Sequence, residues 1–163
     1  MLSTKFFAGI LYSSDDIVPK AIVALEELFG EVDFQTTPYD FDGFTRYYVP
    51  EMGTNLKKLF IFFKKELRGT IADAKEKTIL IEKQLSVNGK RIANIDPGYI
   101  NEKEMGLPST KPTEFRKVLS DNLYNQVIYT YDGELHDAPK AFPDFRSDAV
   151  KEVFAKVFKS LQE

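Results

Sequence analysis

The sequence predicts an α+β fold: a ferredoxin-like, split βαβ antiparallel sheet with two helices on one face, extended by a C-terminal hairpin and a final helix. Three observations carry the prediction. Up to residue 96, apolar strand-like runs and 3.6-periodic segments alternate in the order β-α-β-β-α-β. Beyond it, two strand-like runs flank Asp121-Asn122. A single apolar stripe then follows Ser147.

Residues 6–12 (FFAGILY) form a compact apolar run, the mark of a buried strand. Ser13-Ser14-Asp15-Asp16 suits a helix start, with acidic charge near its positive end. Pro19 fits only a first turn, so the helix begins close to Asp16. Ile17, Val18, Ala21, Ile22, Leu25, Leu28 and Phe29 make one stripe, and Gly30 caps it. Residues 32–36 read as a second strand. The excursion YDFDGFTRYYVPEMG has room for an extension of that strand or for an edge strand at 45–49. LFIFF, within 56–67, is a central strand that Gly69 ends. Thr70-Ile71-Ala72-Asp73 resembles a capping box with Asp in place of Glu. Ile71, Ala74, Thr78, Ile81 and Leu85 give the second helix, closed by Asn88-Gly89. Residues 91–95 are the next strand.

After that strand, Asp96-Pro97-Gly98 suits the first three positions of a type II turn. Residues 116–119 and 125–131 pair as a hairpin, Asp132-Gly133 turns, and PKAFPDFRS is a loop. Ser147 caps a last helix with Val150, Val153, Phe154, Val157, Phe158 and Leu161 on its stripe. The chain is expected to form one domain over 1–163, with a core of about 5–96 and an extension of about 97–163.

Composition narrows the function. A net charge of −3 argues against broad nucleic-acid binding, which needs a basic face. Without cysteine there is no disulfide, thiolate catalysis or Cys-bound zinc. Apolar runs are too short to span a membrane, and the N-terminal run reads as a strand rather than a leader, so a cytoplasmic protein is expected. Neither a phosphate-binding loop nor a dinucleotide fingerprint is present.

Three polar stretches could carry chemistry. NIDPGY puts Asp96 and Tyr99 at a strand end, facing a pocket roofed by the C-terminal segment; a plain turn explains it equally. In STKPTEFRK, Lys111 and Arg116 could clamp a phosphate or carboxylate. In FPDFRS, Asp144 and Arg146 precede the last helix, where capping competes with an anion site. His136 has no triad or metal spacing around it and reads as surface. No metal motif is strong, although Asp96, Asp121 and Asp144 would suit Mg²⁺ if they converge.

The chain resembles a bacterial and archaeal family known as domain of unknown function 4416. FAGILYSSDD, LEELFGEVDF, YYVPEMGTNLKKLFIFF, GKRIANIDPGYI and PKAFPDFRS carry the resemblance. It implies no established activity. Phe115 stands where the family pattern has His, Gln126 where it has an acid, and Pro139-Lys140-Ala141 where it has Pro-Trp-Thr. The set Asp96, Tyr99, Lys111, Arg116, Asp144 and Arg146 survives these departures: Asp96 is the candidate catalytic residue, as a general base, a metal ligand or a hydrogen-bond acceptor, and Tyr99, Lys111, Arg116, Asp144 and Arg146 are the candidates for binding a small anionic ligand.

Two functions follow. One is a small-molecule site, in which Asp96 needs a pKa raised by burial if it is to act as a base. The other is an interaction module using the sheet or the aromatic excursion 39–48, which keeps a homo-oligomer open.

Overall fold

A computed structural model of the chain describes residues 4–109, 116–120, 123–139 and 142–163. Its elements are β1 (Lys5–Tyr12), α1 (Ile17–Phe29), β2 (Val32–Gln35), β3 (Tyr39–Asp40), α2 (Val49–Met52), β4 (Lys57–Phe63) and α3 (Ile71–Leu85). These are followed by β5 (Ala93–Ile100), β6 (Glu104–Ser109), β7 (Arg116–Ser120), β8 (Leu123–Tyr131), β9 (Leu135–Asp137), a 3-10 turn (Pro143–Arg146) and α4 (Asp148–Leu161). The fold is α+β, built on one sheet of order β2-β4-β1-β5-β6-β8-β7, with β3 added to β4 and β9 to β8. Every ladder among the described residues is antiparallel.

Period-2 alternation along β1 divides the core between the two faces of the sheet. Phe6, Ala8, Ile10 and Tyr12 face the stripes of α1 and α3. Phe7 faces the other way and joins Phe60, Phe62, Tyr129 and the α4 residues Phe154 and Phe158. Phe154 touches rings from β1, β4 and β8, so α4 ties both halves of the sheet together. A third cluster, Leu11, Phe41, Met52 and Leu56, anchors the excursion between β3 and β4.

The helix ends follow from local chemistry. Gly30, at φ 92°, caps α1 and donates to Glu26 O. Thr70 Oγ1 accepts from Asp73 N at 3.1 Å, and Ser147 Oγ accepts from Val150 N at 3.4 Å. Asn88 and Gly89, both at positive φ, form the tight turn that bridges Val87 to Lys90.

Three expectations need correction. Asp96-Pro97-Gly98 is no turn: β5 runs through it, with Gly9 opposite Asp96, Ala8 opposite Pro97 and Phe7 opposite Gly98. Glycine is required there for close approach, since a Cβ on Gly98 would lie 2.3 Å from Phe7 Cζ. Residues 45–49 hold turns and the start of α2 rather than an edge strand. Finally, β6 lies between β5 and β8 where no strand was foreseen; its Pro108 and Gly106 mask it.

Candidate functional site

The site forms where β5 and β6 part. They pair only at Tyr99–Gly106 and Ile100–Met105, after which β6 follows β8 alone. In an antiparallel strand the backbone polar groups alternate between edges. Ile95, Pro97 and Tyr99 therefore address the β6 side. Pro97 lacks an N–H where no ladder bond is formed, the edge position proline tolerates. Ile95 does have groups to satisfy, and α3 supplies the partners. Glu82 Oε2 accepts from Ile95 N at 2.5 Å, and Lys75 Nζ donates to Ile95 O at 3.4 Å. Positions 75, 78 and 82 lie on one helix face, which presents Lys75, Thr78 and Glu82 to the sheet as buried polar residues.

Lys75 also reaches through the gap to Asp96 Oδ1, at 3.1 Å. Asn94 Nδ2 donates to Asp96 Oδ2 at 2.9 Å. Arg91 donates to Asn94 Oδ1 at 3.0 Å, and pairs with Glu82 on α3 and Glu51 on α2. One guanidinium thus straps the excursion to the fork.

A second polar cluster lies nearby. The 3-10 turn is pinned by Phe145, buried among aromatic rings, and by the Tyr129 hydroxyl, which donates to Phe145 O. This holds Asp144, only 1% exposed, against Lys58, 6% exposed. Asp144 Oδ2 accepts from Lys58 Nζ and from the Tyr39 hydroxyl, both at 2.8 Å. The β4 alternation places Lys58 on the same face as Phe60 and Phe62. Its ammonium stands 5.5, 5.2 and 4.7 Å from the ring centres of Phe41, Phe60 and Phe145.

Two adjoining cavities share Asn94, Asp96, Tyr47, Tyr48 and Phe142. The first, of about 230 Å³, adds Lys58, Asp144 and the rings of Phe41 and Phe145. The second, of about 220 Å³, lies in the fork itself, between β5 and Leu107–Ser109, with Lys75, Glu82 and Arg91 on its wall.

The two fork carboxylates are tuned in opposite directions. Burial pushes the Glu82 carboxyl up, against the hydrogen bond from Ile95 N and the charges of Lys75 and Arg91. Burial also pushes Asp96 up, but Lys75, Lys58 and the hydrogen bonds from Lys75 and Asn94 outweigh it, leaving Asp96 below the usual carboxylate range. That is the reverse of what a general base working near neutrality needs.

The predicted residues are partly brought together. Asp96 and Asp144 line the first cavity. Tyr99 points to the opposite sheet face from Asp96 and lines neither cavity. Its hydroxyl donates to Glu104 Oε1 and accepts from Asn125 Nδ2, both at 2.9 Å, and burial pushes its pKa up to about 12. Arg146 is exposed and lines neither cavity. Arg116 opens β7 opposite Gln126, with only its backbone described, and Lys111 lies outside the described residues. His136 is exposed and bonded to Asp132. Among the described residues no group of three His, Cys, Asp or Glu side chains is arranged for a metal ion; Asp96 and Asp144 each face a lysine, and Asp121 lies outside the described residues. Sequence reasoning missed Lys58, Lys75, Glu82 and Arg91. Charged residues at core spacing, Lys58 in register with Phe60 and Phe62, and Lys75 and Glu82 on the stripe with Thr78, were the available signal.

Among the described residues no helix is long and apolar enough to cross a membrane. No curated protein and no solved structure matches the chain. A family model matches residues 3–160, nearly the whole length, so the protein belongs to the family described as Domain of unknown function (DUF4416).

Proposed function

We propose that the chain binds a small organic molecule in the paired cavities at the fork, with an anionic group near Lys75 and Arg91 and an apolar body among the aromatic rings. The observation that carries this reading is the Lys58–Asp144 pair, buried at the wall of an aromatic cavity. A buried ion pair contributes little net stability, because desolvation offsets the attraction. Convergent charges in a mainly apolar cavity are what ligand sites use. Lys75 and Arg91 take the part expected of Lys111, Arg116 and Arg146. Asp96, with its lowered pKa, acts as a fixed acceptor, which favours binding over base catalysis.

The order β2-β4-β1-β5, with α1 and α3 together on one face, supports reading this half as a ferredoxin-like split βαβ unit, within one domain that shares a single sheet. The interaction-module reading draws less support. Tyr39, Phe41, Phe44 and Tyr48 of the excursion pack on one another, and helices cover both faces of the sheet.

Thermal unfolding against inorganic phosphate, sugar phosphates and carboxylates tests the proposal. A ligand at a hundred times its Kd stabilises by about 2.7 kcal/mol. The expected result is a rise in Tm for the wild type that is absent in a folded Lys75→Gln variant, which removes the cation facing the ligand's anionic group. A rise of equal size in both proteins would place binding elsewhere, and no rise with any compound would remove the proposal.

A further inference from the structure

We infer that the Lys58–Asp144 end of the first cavity recognises a planar ring through an amide-type edge, a hydrogen-bond acceptor beside a donor, rather than through a net charge. The inference rests on the fork being a small-molecule site and adds the chemical class that its aromatic chamber takes.

The argument is one of unused valence. Asp144 Oδ2 carries both of that carboxylate's bonds, from Lys58 and from Tyr39. Among the described residues nothing donates to Oδ1, and Oδ1 is not one of the occluded polar atoms without a partner. Asp144 lines the first cavity, so Oδ1 is the acceptor it has to offer there. Lys58 has three N–H groups and uses one; its other neighbours are the faces of Phe41, Phe60 and Phe145. The pair thus offers a donor and an acceptor side by side, and a buried polar group left unmet is costly.

Charge balance selects the complement. The pair is neutral, and Asp96 on the same wall is balanced by Lys75, so an anion drawn to Lys58 is opposed by Asp144, and a cation meets the reverse. Both terms are strong in a poorly solvated site. A neutral amide satisfies both: its C=O accepts from Lys58 and its N–H donates to Asp144 Oδ1. The rings of Phe41, Tyr48, Phe142 and Phe145 suit a flat aromatic partner. At about 230 Å³ the chamber is just smaller than the roughly 300–1,000 Å³ of drug-sized pockets, a fit for a single substituted ring.

Three probes that share a phenyl ring separate the alternatives: benzamide, benzoate and benzylamine. Each is titrated at millimolar concentration into the ¹⁵N-labelled protein, with the backbone amides of Lys58, Asn94 and Phe145 followed by NMR. Benzamide is expected to bind at these residues about tenfold more tightly than either ion, a difference of ~1.4 kcal/mol. Lys58→Met alone strands a buried carboxylate, so the comparison variant is Lys58→Met/Asp144→Leu, which removes both charges and both hydrogen-bonding groups together. In it the affinity for benzamide should fall about tenfold. Benzoate binding most tightly at the same amides would overturn the inference and leave the small-molecule site standing. An affinity for benzamide that is unchanged in the double variant would also overturn it. No perturbation of these amides by any probe would overturn both the inference and the site it rests on.

Discussion

The two edges of β5 differ sharply. Toward β1 the strand forms an unbroken ladder from Ala93 to Ile100, with Phe7, Ile10 and Ile95 fully buried along it. Toward β6 it forms two pairs and then stands alone, its backbone completed by Glu82 and Lys75. On one edge, backbone bonds and apolar packing leave no room for a ligand. On the other, side chains replace the missing strand, and side chains can be tuned, spared or shared with a small molecule. The fork therefore gathers charged groups, and the cavities follow from it.

The closed edge breaks hardest at Phe7. Its ring packs on Phe60, Phe62 and Phe154 and lies over Gly98. Phe7→Ala should cost about 3–5 kcal/mol in chemical denaturation, through lost burial and the cavity left behind. On the open side, Lys58→Met should cost a similar amount, about 3–5 kcal/mol, for a different reason: it strands Asp144 without its ion-pair partner. The two mechanisms separate on a second substitution. Lys58→Met/Asp144→Leu should recover most of the loss, because replacing a buried pair by apolar groups is often neutral. A double variant as unstable as the single one would mean that the pair holds the fold together and is not a spare polar device.

Gly98→Ala comes next, at about 1–3 kcal/mol, since the new methyl must displace Phe7 and also meets Gly106 O at 2.9 Å. In a Phe7→Ala background the same substitution should cost less, because the ring it strikes is gone. A double-mutant cycle measures that coupling, and strict additivity would contradict the contact.

How much of this was legible depended on range. Gly30, Thr70 and Ser147 announced the ends of α1, α3 and α4 because capping is a matter of a few neighbouring residues. Asn88-Gly89, expected to close α3, instead forms a turn between Val87 and Lys90, the helix having ended at Leu85 with Ser86 as its cap. Asp96-Pro97-Gly98 misled because its local signature is that of a turn, while the ladder to β1 holds it extended. What Gly98 provides is space for Phe7, which lies far away in the sequence. The site divided in the same way. Asp96 and Asp144 stood in distinctive polar stretches. Lys58 and Lys75 carry no local mark of a site, one beside the apolar run of a strand and one on a helix, and only the tertiary packing turns them inward.

The smallest expected effect is a change in pH dependence, and it sharpens the comparison within the open edge itself. Glu82 has a raised folded pKa, so the folded state binds its proton more tightly than the unfolded chain does. Acidification from neutrality should therefore stabilise wild type relative to Glu82→Gln, with the gain complete below the unfolded value of about 4.5. Asp96 has a lowered folded pKa, so the unfolded chain binds its proton more tightly. Its contribution is fully present above the unfolded value of about 3.8 and is lost as pH falls through the folded pKa, which should cost wild type stability relative to Asp96→Asn. Urea denaturation of the three proteins between neutral and strongly acidic pH gives both differences. Opposite slopes would confirm that one carboxylate is dominated by burial and its neighbour by two ammonium groups. Slopes of the same sign would mean that the fork admits enough water to level them, and that the side chains replacing β6 leave this edge open to solvent.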